Sequence, residues 1–177
     1  MDTENKHISI PFHWSGSVRA ITIVTLIVLI GTGFYLETKI WPEGMLWLKY
    51  LLITVISGTI LIGLGYMPIR LKASNEKITV SRLFGSLTIP VDEIMEAGIL
   101  QKTDISDSIR LFGSGGLFGF LGLFRNTRLG KYTMYATDLD HLLFIRTRNR
   151  KYVFSCSRSE ELLEYIDLRL KQHNGAK

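Results

Sequence analysis

Two long apolar segments near the N-terminus most constrain what this chain can fold into. Residues 20–36 and 50–69 contain no charged side chain and are 17 and 20 residues long. As α-helices they would be roughly 25 and 30 Å long, against a bilayer hydrocarbon thickness of about 30 Å. They are apolar on every helical face, whereas a surface helix of a soluble protein has one apolar stripe. They therefore predict a transmembrane hairpin with helices at about 18–37 and 46–68.

The loop between the two segments supports a hairpin. Pro42 and Gly44 are turn-forming residues, and Trp41 and Trp47 lie where aromatic side chains meet a membrane interface. Two alternatives are a pair of buried core helices and a signal peptide cleaved after the first segment. Cleavage would require a small-residue site after residue 36, and the sequence has none there.

The distribution of basic residues predicts the orientation of the hairpin. Two lysines lie in the connecting loop, whereas six basic residues lie near the other helix ends: Lys6, Arg19, Arg70, Lys72, Lys77 and Arg82. Because lysine and arginine favour the cytoplasmic side, we expect residues 1–17 to be a cytoplasmic N-terminal tail and residues 70–177 a cytoplasmic domain. The chain would then be a multi-pass protein of the cell (inner) membrane with both termini in the cytoplasm.

Residues 70–177 have the pattern of short strands followed by one helix. Alternating apolar and polar residues, with turn signals such as Asn149-Arg150, predict about six or seven antiparallel strands. Ser157 and Glu160 have the spacing of a helix-starting capping box. An apolar stripe follows at helical spacing, formed by Leu162, Leu163, Ile166 and Leu170. This order predicts an α+β, PH-like barrel capped by a C-terminal helix.

The most unusual segment is 111–125, in which five glycines alternate with leucines and phenylalanines. Its glycine spacing fits neither the dinucleotide-binding fingerprint nor the P-loop. One interpretation is contact with the bilayer or a protein partner, because apolar surface next to cations is typical of such interfaces. The contact residues would be Leu117, Phe118, Phe120, Phe124, Arg125, Arg128 and Lys131. The other interpretation is a glycine-rich hairpin folded against the domain's own core or the transmembrane hairpin.

Residues 110–137 resemble the signature of a family of bacterial PH-domain proteins. In that family a Gly-Ser-Gly-Gly-Leu-Phe-Gly segment, here 113–119, precedes a strand that ends in Tyr-Ala-Thr, here 135–137. The resemblance covers most of residues 70–173, and members often carry two transmembrane helices before the domain. It implies a PH-like fold in a membrane protein, and it brings no catalytic residues.

A second basic cluster surrounds one predicted hairpin tip. Arg146, Arg148, Arg150 and Lys151 fall within six residues, and the chain's net charge of +5 belongs to residues 70–177. Side chains two residues apart in a strand share a face, so Arg146 and Arg148 point the same way. The cluster predicts contact with an anion or a lipid headgroup. The alternative is a solvated hairpin rim.

Patterns for catalysis or metal binding are weak. The four histidines have no paired His/Cys spacing, and Asp138, Asp140 and His141 have the composition of a turn. The single cysteine, Cys156, has no neighbouring base in the sequence and is expected to be a packed side chain. We therefore predict no catalytic, cofactor-binding or metal-binding residues, no cofactor and no enzymatic activity.

Together these features predict a non-catalytic scaffold or sensor that binds a protein partner or an anionic membrane surface. The alternative is an accessory subunit of a transporter or membrane enzyme, contacted through the small residues Thr54 and Gly58. An enzyme that uses Asp138 or Asp140 is a third hypothesis. The expected partners are the lipid bilayer and a protein. Nucleic acid is not expected because no binding motif is present, and a homo-oligomer is left open.

Overall fold

A computed structural model describes residues 8–175 of the chain. Two helices stand out by length, α1 (Gly16–Thr38) and α2 (Leu46–Tyr66). Their 23 and 21 residues correspond to about 35 and 32 Å at 1.5 Å per residue. Both helices are long and apolar enough to cross a membrane, and very few of their residues are buried. Such exposure argues against the alternative of two core helices.

Within the described residues, ten strands form two sheets. The first sheet contains, in spatial order, β1 (Ile8–Pro11), β2 (Pro68–Ala73), β3 (Lys77–Arg82) and β4 (Ser86–Pro90). The second sheet contains β5 (Ile94–Leu100), β6 (Ile109–Gly116), β7 (Gly119–Asn126), β8 (Gly130–Ala136), β9 (Leu142–Thr147) and β10 (Lys151–Ser155). Its spatial order is β5-β9-β10-β8-β7-β6. The chain ends in helix α3 (Ser159–Gly175).

The prediction of two apolar helices, a strand-rich domain and a C-terminal helix is confirmed, but the sheets differ from it in detail. The strands outnumber the predicted six or seven, and β8 and β10 run parallel, with Thr133 opposite Tyr152. The parallel pair arises because the chain after β8 passes beyond the position of β10 to form β9, and then returns. The prediction of antiparallel strands alone is therefore wrong for this pair.

Strand β1 lies in the segment that the sequence assigned to an N-terminal tail. It pairs antiparallel with β2, from Ile8 opposite Ala73 to Pro11 opposite Arg70. Because β1 precedes α1 and β2 follows α2, one strand pair holds both domain-side ends of the helical hairpin. Residues 8–11 thus belong to the first sheet, whereas residues 1–7 of the predicted tail lie outside the described residues.

The core has two parts, one on each face of the second sheet. Successive side chains of a strand point to opposite faces, so Leu143 of β9 joins one buried cluster and Leu142 joins the other. The first cluster also contains the inner face of the first sheet, and Leu162 and Ile166 of α3 complete it. Helix α3 begins at Ser159, so the predicted capping box at Ser157 does not begin this helix.

Candidate functional site

The glycine-rich segment forms the hairpin of β6 and β7 at one edge of the second sheet. Gly113 and Gly122 lie opposite each other, with φ angles of 107° and 121°. A Cβ atom on Gly113 would overlap the carbonyl oxygen of Leu121, and one on Gly122 would overlap that of Phe112. Both positions therefore require glycine for a backbone conformation that other residues rarely adopt and for the close approach of the two strands.

The tip of this hairpin packs against both apolar helices. Phe118 is 3% exposed, and its amide donates to the Thr22 hydroxyl of α1 at 3.0 Å. The same hydroxyl donates to the Gly116 carbonyl at 3.3 Å. The Phe118 ring lies so close to Gly63 of α2 that a Cβ atom there would be 2.6 Å from it. Trp14 makes an edge-on contact with the ring, with 6.5 Å between centroids.

These contacts correct part of the predicted interface with a membrane or partner. The Phe118 side chain packs against the chain's own helices, and Phe124, 5% exposed, stacks on Tyr132 inside the second core cluster. Leu117 and Phe120 are partly buried against the two clusters. Contact with the chain's own core and helices, the second interpretation of the segment, describes these four side chains. Positive φ angles and the close pairing of the two strands account for Gly113 and Gly122 in this segment.

The cations predicted to flank this hairpin tip lie at the far end of the sheet. Arg125 is opposite Lys131, and Lys131 is five residues, about 17 Å of strand, from Ala136. Next to Ala136, the Thr137 carbonyl accepts a hydrogen bond of 2.9 Å from the Ser15 amide, where α1 begins. These cations therefore lie at the end of β8 remote from α1. Arg128, at the same end, forms an ion pair with Asp104.

At this remote end, Lys131 meets the second predicted basic cluster in one open groove. The groove has a volume of about 350 Å³. Its lining is Met95, Lys131, Arg146, Thr147, Arg148, Asn149, Arg150 and Lys151. The parallel pairing of β8 with β10 explains this meeting, because the starts of both strands then lie at the same end of the sheet. We call this feature the basic groove.

The cations of the basic groove differ in their partners. Arg146 is 3.2 Å from a carboxylate oxygen of Glu96, and Lys151 donates to the Leu129 carbonyl at 2.6 Å. Among residues 8–175, no carboxylate forms an ion pair with Lys131, Arg148 or Arg150. These three side chains give the groove a net positive charge, and they are available to an anion.

The polar residues considered for catalysis have structural contacts. Asp138 accepts a hydrogen bond of 3.0 Å from the Asp140 amide and lies 3.2 Å from Nδ1 of His141. These are contacts of a turn between β8 and β9. Burial raises the pKa of the Cys156 thiol, which favours the neutral thiol over the reactive thiolate at neutral pH. Among the described side chains of residues 8–171, no group of three or more His, Cys, Asp or Glu could hold a metal ion.

Sequence reasoning missed one apolar surface, the turn between β3 and β4. Leu83 and Phe84 are 59% and 58% exposed. The Phe84 amide donates to the Gly65 carbonyl at 2.9 Å, so the turn lies beside the last turn of α2. Two adjacent large apolar residues in a turn, where polar residues are usual, are the signal that could have identified it.

Arg82 precedes this turn and packs between two aromatic rings. Its guanidinium carbon is 5.2 Å from the ring centroid of Tyr66 and 5.5 Å from that of Tyr135. Nη1 donates to the Tyr135 hydroxyl at 3.1 Å, and Nε is buried without a hydrogen-bond partner. Burial raises the pKa of Tyr135, and the positive charge of Arg82 partly opposes that rise.

Two packed sheets and a closing C-terminal helix are consistent with a PH-like fold. The bacterial PH domain family matches residues 69–170, from β2 into α3. This range is more than half of the chain, and the chain belongs to the bacterial PH domain family. The match does not include β1, α1 or α2. Comparison with individual curated proteins gives no match.

Proposed function

We propose that this protein is a membrane-anchored, non-catalytic scaffold or sensor whose PH-like domain binds an acidic segment of a cytoplasmic protein. Helices α1 and α2 form the anchor, and the basic groove is the binding surface. The observation that carries the proposal is the meeting of Lys131, Arg148 and Arg150 in one groove without carboxylate partners. The groove lies at the end of β8 remote from α1. This location favours a cytoplasmic partner over the headgroups of the protein's own bilayer.

The chemistry of the groove fits carboxylate side chains. Arginine presents a planar set of donors that pairs with both oxygens of a carboxylate, and charge-assisted hydrogen bonds of this kind are strong. Met95 adds an exposed apolar side chain to the lining. The groove is open along the surface, as an extended peptide requires, whereas small molecules are usually enclosed. PH domains are generally non-catalytic, which agrees with a binding role.

The accessory-subunit alternative would use a different surface. Thr54 is exposed on α2, and nothing lies within 4 Å of a Cβ atom placed on Gly58. A neighbouring transmembrane helix could approach this face closely. Gly58→Leu would block that approach and leave the basic groove unchanged, so it separates the two functions.

Binding of a fluorescein-labelled oligo-glutamate peptide tests the proposal. The full chain is placed in nanodiscs of neutral lipid, and affinity is measured by fluorescence anisotropy. We expect the triple variant K131S/R148S/R150S to bind at least about tenfold more weakly, because three charge-assisted contacts are lost. The matched control K72S/K77S/K102S removes three exposed lysines outside the groove and should bind like the parent.

Two outcomes would contradict this function. An equal loss in both triple variants would show attraction to overall charge rather than to the groove. Normal peptide binding by the groove variant, together with weaker capture of vesicles that contain phosphatidylglycerol, would assign the groove to a membrane surface.

A further inference from the structure

The turn between β3 and β4 presents an apolar pair at the end of a membrane helix. Leu83 and Phe84 are as exposed as Leu61 and Ile62, which lie on the outer surface of α2. The Phe84 ring packs directly on Gly65, where a Cβ atom would overlap it. Gly65 belongs to the uncharged segment 50–69. The ring therefore lies at the level where this segment leaves the hydrocarbon.

We propose that Leu83 and Phe84 insert into the boundary between acyl chains and headgroups, in the leaflet where α2 ends. The domain would then contact the bilayer through its own turn and not only through its two helix connections. Apolar side chains of interfacial segments typically enter this boundary to a depth of about 5–10 Å. That depth is within reach of a turn hydrogen-bonded to the last turn of α2.

Arg82 supplies the charge that such a site requires. Its guanidinium lies between Tyr66 and Tyr135, and no carboxylate within residues 8–175 forms an ion pair with it. Lipid phosphate is the abundant anion at this depth, and arginine binds phosphate through charge-assisted hydrogen bonds. Adjacent apolar and cationic side chains are the composition of interfacial membrane contacts.

The position of the β3–β4 turn beside α2 favours lipid, rather than a protein, as the molecule that contacts Leu83 and Phe84. Tyr66 and Ile69 are also exposed, so exposed apolar side chains occur at the end of α2, at the start of β2 and in the β3–β4 turn. The lipid that surrounds α2 would cover the turn as well. The site is separate from the basic groove and needs only that α2 spans the bilayer.

An environment-sensitive label at position 83 tests the insertion. The variant L83C is labelled with the fluorophore NBD in the full chain, reconstituted in vesicles of phosphatidylcholine and phosphatidylglycerol. The native Cys156 is 2% exposed and is replaced by alanine in every sample. The matched control is M95C, whose parent side chain is equally exposed but lines the basic groove.

We expect blue-shifted emission at position 83 and quenching by shallow nitroxide lipids at least about twofold stronger than at position 95. Equal exposure of both labels to water-soluble quenchers would overturn the insertion. Protection at position 83 without lipid quenching would also overturn it and would indicate a protein cover. Because L83C leaves the basic groove intact, failure here would leave the peptide-binding result unaffected.

Discussion

At the residue scale, side-chain type did not determine where each phenylalanine lies. Phe118 and Phe124 are buried, whereas Phe84 is exposed. The difference comes from the backbone, because Phe118 adopts a φ of 59° at a hairpin tip between glycines and is directed onto Gly63. Such a conformation for a bulky residue persists only where its surroundings stabilise it, and here Thr22 and Gly63 do so.

The single cysteine gives a prediction at this scale. Cys156 is buried, and burial raises the pKa of its thiol. A raised pKa keeps the thiol neutral at pH 7, so little thiolate is present to react. We expect almost no reaction with Ellman's reagent in the folded protein and one equivalent after denaturation. Rapid modification of the native protein would contradict the buried position and reopen the question of a nucleophilic role.

At the scale of elements, long periodic segments were predictable and short or glycine-rich ones were not. Length and uniform apolarity identified α1 and α2, and the apolar stripe identified α3. Strand β1 has only four residues and precedes a long apolar helix, so nothing local distinguishes it from a tail. Strands β6 and β7 contain five glycines, which usually weaken strands; here the glycines permit close pairing.

The cationic residues of the basic groove could be predicted from the sequence, but their meeting in one groove could not. The sequence identified Lys131 and the group at 146–151 as separate clusters. They meet because β8 pairs in parallel with β10. That pairing requires the chain to form β9 first and then return to place β10 beside β8, and no local sequence pattern predicts this path. Strand β7 runs from Gly119 to Asn126, so its length separates Arg125 from Phe118, which the sequence had combined in one interface.

Docking of the β6–β7 tip on α2 gives a prediction for this scale. In G63L the new side chain would collide with the Phe118 ring and force the tip away from the helices. We expect a loss of about 1–3 kcal/mol of stability, as is usual for overpacking, seen as a lower thermal midpoint in detergent. The control G58L lies on the same helix with open space around it, and its midpoint should match that of the parent. Equal midpoints for G63L and the parent would contradict the docking.

At the scale of the whole molecule, the domain and the helix pair form one connected unit. Pairing of β1 with β2 joins the start of α1 to the end of α2, and the hairpin tip packs against both helices. If the helices span a bilayer, this connection requires both of their domain-side ends to be on one side of it. The excess of basic residues at those ends predicts that this side is the cytoplasm.

The most direct test of this arrangement is cysteine accessibility in intact spheroplasts. G44C lies in the loop between α1 and α2, and K77C lies on the exposed surface of the domain; each is treated with a membrane-impermeant maleimide. The proposed topology predicts labelling of G44C in intact spheroplasts and of K77C only after permeabilisation, with the buried Cys156 unlabelled in both. Labelling of K77C from outside, or protection of G44C until the membrane is opened, would contradict a hairpin that carries its PH-like domain in the cytoplasm.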